Sequence, residues 1–137
     1  MKKRLGKSLS VAARMSLLRS NEVNEIGTKL TEMGADGLLD GGFCILPLDE
    51  NLDQYFSPKF RFITGYEKGE LKSNVDFYNI LPIDILKEFR DNLKKSEDFF
   101  QSFVVETKNR SHVLLYCDVS LIKNKIIIIG ANKVIKK

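Results

Sequence analysis

The sequence predicts an α+β domain, and three observations carry that expectation. The stretch 41–66, GGFCILPLDENLDQYFSPKFRFITGY, reads as strand, tight turn, strand and helix. The stretch 112–122 alternates with the period of two expected of a half-buried strand. Two further runs, 43–48 and 126–129, are apolar without alternation, the pattern of a strand covered on both faces. The element order is helix, then β-β-α-α-α-α-β-β-β.

Residues 8–33 read as helical. Val23, Ile26, Leu30 and Met33 follow 3-4-3 spacing and form a narrow apolar stripe. Val11, Met15 and Leu18 form a similar stripe one segment earlier, out of step with the first. Ser20 and Asn21 lie between the two, so a kink or a pair of helices is expected. Gly34, Gly37, Gly41 and Gly42 then mark a loop, with Leu38 and Leu39 available to pin it down.

The first strand, 43–48, is bounded by Gly41-Gly42 and by Asp49-Glu50-Asn51, and 52–56 can return beside it. Ser57 is placed to cap a helix, Pro58 suits the first helical position, and Gly65 can stop the helix. Residues 67–80 are helical in short pieces anchored by Phe77, Ile80 and Leu81. Pro82 opens a helix over 83–96 whose apolar face is Leu86, Phe89 and Leu93, with Lys87, Glu88, Arg90, Asp91, Lys94 and Lys95 on the wet side. Three strands follow, roughly 99–108, 112–122 and 125–131, joined by hairpin-like connections. In the middle one, Val113, Leu115, Cys117, Val119 and Leu121 form one apolar face.

The pieces FCILPLDENL, QYFSPKF and ITGY resemble the opening of a PAS (Per-Arnt-Sim) domain. Tyr-Phe-Ser-Pro and Thr-Gly-Tyr-Glu are the specific part; the rest is a pattern of elements running to about Ala131. The resemblance implies a five-stranded antiparallel sheet in the order 2-1-5-4-3, with helices inserted between strands 2 and 3 and an N-terminal amphipathic helix added. The expected organisation is a basic N-terminus and helical segment at 1–40, a PAS-like domain at 41–131 and a basic tail at 132–137. Such domains often dimerise through a flanking helix. That points to Val23, Ile26, Leu30 and Met33 meeting Ile126 and Ile128 on the outer sheet face, in one subunit or across a dimer.

Charge narrows the function classes. Residues 1–7 carry +4 and residues 123–137 carry +5, leaving −5 for the body of a chain whose net charge is +4. Cations at the ends, and not on one folded element, argue against a nucleic-acid-binding domain. No apolar run approaches the roughly 20 residues of a membrane-spanning helix, and the basic start lacks a signal-peptide pattern because Arg14 interrupts it. The protein is expected to be cytoplasmic. Cys44 and Cys117 read as small buried hydrophobes with no CxxC spacing and no metal role.

No catalytic set is legible. The single histidine, His112, sits at a strand edge, and no phosphate loop, GxSxG or HExxH occurs; an enzyme is not expected. The resemblance brings cofactor modes that the residues do not match. The helix 83–96 has no histidine for haem, and 67–81 has no cysteine for a flavin adduct. No cofactor is therefore expected, beyond a small apolar ligand in a pocket lined by Phe60, Ile63, Phe77, Leu86, Phe89, Phe103, Leu115 and Cys117. The place of the Asp-Ile-Thr-like motif that ends many signalling members reads Asn132-Lys133-Val134-Ile135. The expected function is a non-enzymatic sensor or regulatory module acting by protein–protein contact, as a homodimer or with a signalling partner. The alternative is a receptor whose apolar pocket binds a small molecule.

Overall fold

Strands β1 (Phe43–Pro47), β2 (Tyr55–Phe56), β3 (Asp98–Glu106), β4 (His112–Ile122) and β5 (Ile126–Lys136) hydrogen-bond in the antiparallel order β2-β1-β5-β4-β3. The structure is a computed structural model and describes residues 9, 11–13, 15, 22–49, 52–71 and 74–136. Helices α1 (Val23–Glu32) and α2 (Ala35–Leu38) precede the sheet. Helices α3 (Pro58–Thr64), α4 (Asn74–Asn79) and α5 (Ile83–Lys95) lie between β2 and β3. This is the PAS arrangement, with the first and last strands side by side at the centre.

The double-sided apolar strands explain the layering. Cys44 and Leu46 of β1 join Ile127 and Ile129 of β5 in an inner cluster with Phe56, Phe60, Phe77, Phe89 and Phe103. Phe43 and Ile45 join Ile126 and Ile128 in an outer cluster with Val23, Ile26 and Leu30 of α1. One strand therefore serves two cores, and each needs a helical lid. The lid on the outer face belongs to the same chain. Met33, grouped with that stripe on spacing, is 62% exposed instead, because it falls at the C-cap of α1 where the helix leaves the sheet.

The stripe one segment earlier also turns outward. Residues 9, 11–13 and 15 are helical, but Leu9 and Ala13 are buried while Val11 and Met15 are exposed. Leu18 lies outside the described residues. Of the pair Leu38-Leu39, only Leu39 is buried.

Two other expectations shift. Residues 67–71 form turns, with Gly69 at φ 90°, so three α-helices are described between β2 and β3 where four were read. The last strand does not stop at Ala131. It runs to Lys136 because the eleven residues of β4 supply partners, among them Leu115 for Val134 and Leu114 for Ile135. The basic tail is thus strand up to that point.

A polar knot fixes the start of α3. Ser57 Oγ accepts from Phe60 N–H at 3.3 Å and from Phe43 N–H at 3.0 Å. Asp36 Oδ2 accepts from Lys59 N–H at 2.8 Å, tying α2 to the same helix end. Gly42, at φ 70°, passes so close that a Cβ there would overlap Ser57 Oγ and lie 2.6 Å from Phe60 N. Gly65, at φ 83°, ends the helix as expected, its N–H bonded to Arg61 O at 2.8 Å. Ser57→Ala should cost about 2 kcal/mol, since it removes a cap and leaves the Phe43 N–H buried without its acceptor. A urea-unfolding midpoint checks this.

Candidate functional site

The eight pocket residues expected from sequence gather in one place. Phe60, Phe77, Phe89, Phe103, Leu115 and Cys117 are buried in the inner cluster, and Ile63 and Leu86 pack against it. The space between helices and sheet is spanned by rings in contact. Phe56 stacks on Phe60 at 5.2 Å, Phe60 meets Phe77 at 6.5 Å, and Phe77 meets Tyr78 at 6.0 Å. Tyr78 then meets Phe89 at 6.4 Å, and Phe89 meets Phe103 edge-on at 5.5 Å. Tilted and edge contacts of this kind add to simple burial.

Two polar side chains in this layer escaped the sequence reading. Asn74, 2% exposed, donates from Nδ2 to Pro47 O at 2.7 Å, while its Oδ1 is buried with no hydrogen-bond partner among the described residues. Gln101 is buried on β3, donating from Nε2 to Ile85 O at 3.1 Å and accepting from Asn92 Nδ2 at 3.2 Å, which ties α5 to the sheet. A signal for Gln101 existed: Phe99, Gln101, Phe103 and Val105 share one strand face. Asn74 had none, since its burial depends on how α4 meets the end of β1.

Both thiols are buried and free. Burial raises the pKa of Cys44, and burial first, then the neighbouring Cys44 and Asp118, raises that of Cys117. The folded protein therefore holds both protonated. Folded values above the ordinary 9.0 mean that this contribution to stability is complete below about pH 9 and is lost as pH rises further. Stability should fall above that pH by up to about 1.4 kcal/mol per pH unit for each thiol. Urea midpoints at neutral and alkaline pH in Cys44→Ala and Cys117→Ala should show a smaller fall than in the parent.

The outer face carries a second arrangement. The Tyr55 ring lies on Gly27 of α1 so closely that a Cβ at Gly27 would overlap it. Thr31 Oγ1 donates to Gly27 O at 2.9 Å, so the Tyr55 hydroxyl, 2.7 Å away, donates to Thr31 Oγ1. Burial raises the Tyr55 pKa, keeping that donor protonated. Its neighbour Phe56 points the other way, into the inner cluster. Strand β2 thus holds one aromatic ring against each layer. Of the six expected docking residues, Val23, Ile26, Leu30, Ile126 and Ile128 meet in the outer cluster, and Met33 does not.

No protein-family model matches this sequence, and no curated protein matches it. Among solved structures, the chain is similar to the LOV domain of an Erythrobacter litoralis blue-light activated histidine kinase, at TM-score 0.57 and 11% identity, covering 72% of this chain and 99% of that one. It is similar to the photo-excited blue-light photoreceptor Vivid, at TM-score 0.54 and 12% identity, covering 67% and 77%. A fungal LOV domain photoreceptor linked to blue light and oxidative stress gives TM-score 0.54 and 15% identity, covering 70% and 74%. At these identities the likeness establishes the fold.

These neighbours correct the expectation of no cofactor. They are LOV domains, which bind flavin, so a missing haem histidine and a missing adduct cysteine do not set the cofactor range of this fold. The inner cluster is apolar, and on α4 the Asn74 Oδ1 is buried with no hydrogen-bond partner among the described residues. The residues do not fit a ring held through sulfur from 67–81, because both cysteines lie on the sheet. Among the described residues no cluster of His, Cys, Asp or Glu suits a metal, and no helix is long and apolar enough to cross a membrane.

Proposed function

From the premise that this chain carries the PAS fold, we propose that it is a sensor or regulatory module, non-enzymatic, that works through protein–protein contact. The observation that carries this reading is β2. Its two residues join the inner layer, through Phe56, to the helix on the outer layer, through Tyr55. A change in the inner cluster is passed across the sheet edge to α1. The contact side is supported by exposed apolar residues on the N-terminal elements: Val11, Met15, Met33 and Leu38. These suit a second copy or a signalling partner, in a cytoplasmic setting. Native mass spectrometry tests this: a dimer that becomes monomeric in a Met33→Asp, Leu38→Asp variant supports self-association. A monomer unaffected by concentration leaves a different protein as the partner.

The second reading is a receptor for a small molecule in the inner cluster. It is favoured by Asn74 Oδ1, a buried acceptor awaiting a donor, and by neighbours that are photoreceptor domains. A planar, apolar ligand of the flavin kind, with an N–H to offer, matches that lining. In such a complex Asn74 orients the ligand, and the Phe rings exclude water from it. A retained mass that leaves on denaturation and fluoresces as a flavin supports this reading; protein carrying no such mass, and taking up none on refolding with flavin mononucleotide, contradicts it.

A further inference from the structure

We propose that the cleft between α1, β2 and the turn at 66–71 is a binding site for a small organic anion with a flat apolar body, of the aromatic carboxylate class. The cleft has a volume of about 550 Å³, within the roughly 300–1,000 Å³ range of small-molecule sites. Its sheltered wall is Gln54, Tyr55, Phe56, Arg61, Tyr66 and Leu71, all buried or half-buried. Three of the six are aromatic, which provides faces for a flat ring. None of the eight residues expected to line the inner pocket borders it.

Charge selects the sign of the ligand. Arg61 is the sheltered charge, whereas Asp53, Glu67 and Lys68 are exposed at the rim. Arg61 Nε donates to Phe56 O at 3.3 Å, which fixes the guanidinium while leaving its terminal N–H groups for an acceptor. Among the described residues no carboxylate pairs with it. A fixed guanidinium beside apolar rings recognises a carboxylate through its planar fork. Tyr55 also forms part of this wall, so an occupant touches the residue that clasps α1. The site shares Phe56, Tyr66 and Leu71 with the edge of the inner cluster but opens to solvent on its own and does not depend on a ligand within that cluster.

The test is a two-dimensional amide NMR titration of the full chain with benzoate, with sodium chloride and acetate as controls. The expected result is saturable shifts at Tyr55, Phe56, Arg61 and Tyr66, with acetate at least tenfold weaker. Arg61→Gln and Arg61→Lys should each weaken benzoate at least tenfold while the amide dispersion of the fold is kept. Thr28→Trp, an exposed position on the rim, should block the cleft to the same extent and serves if the Arg61 variants do not fold. Shifts absent, matched by chloride, unchanged in these variants, or centred on Phe77 and Phe89 would overturn the proposal.

Discussion

Gly27→Ala should destabilise the protein, although the same change in most helix interiors stabilises it. Ordinarily alanine gains about 0.5–1 kcal/mol over glycine in a helix. Here the added methyl collides with the Tyr55 ring, and that ring has little room to yield. Tyr55 is paired to Ile45 in the sheet, packed 5.8 Å from Phe43 and bonded to Thr31. The net loss should be about 1–3 kcal/mol, the usual range for overpacking. Gly27→Val should go further and undock α1, exposing Phe43, Ile45, Ile126 and Ile128 to water. Gly37→Ala is the control: nothing lies within 4 Å of that position, so it should be neutral or stabilising. Thermal melts of the three variants check the sign, and an unchanged or raised melting temperature for Gly27→Ala would remove the clasp from consideration.

Phe89→Ala should cost about 3–5 kcal/mol, the most of any single truncation in the inner layer. Phe89 is fully buried and touches Tyr78, Phe99 and Phe103, so its ring joins α4, α5 and β3. Its removal leaves a cavity that the strands cannot close, because β3 and β4 are held by nine paired positions. Urea unfolding gives the loss directly. The same variant is informative about ligands: a cavity lined by rings should take up a small apolar molecule such as benzene and recover part of the lost stability.

Much of this was legible in the sequence because it is local. Ser57, Pro58 and Gly65 specify their helix by backbone chemistry alone, and each sits where that chemistry requires. The unbroken apolar runs at 43–48 and 126–129 announced a two-sided sheet, and both sides are covered. The rest depends on partners distant in sequence. Residues 132–136 read as a basic tail, yet β4 recruits them into the sheet. Nothing in the sequence around Gly27 marks it, because its reason is a ring 28 positions later in the chain. Asn74 and Arg61 gained significance only once β1 and β2 placed carbonyl groups against them. The cofactor expectation failed differently. It treated two known attachment modes as the whole range of the fold, whereas noncovalent holding needs only a lining and one or two polar atoms.

Coupling through β2 is tested most directly by hydrogen–deuterium exchange on Phe56→Leu beside the parent protein. The substitution alters only the ring that β2 places in the inner cluster; Tyr55, Gly27 and α1 are untouched. Faster exchange over 23–32, with protection of 112–122 and 126–136 retained, is the predicted result. Protection of 23–32 equal to that of the parent would contradict transmission from the inner layer to the N-terminal helix.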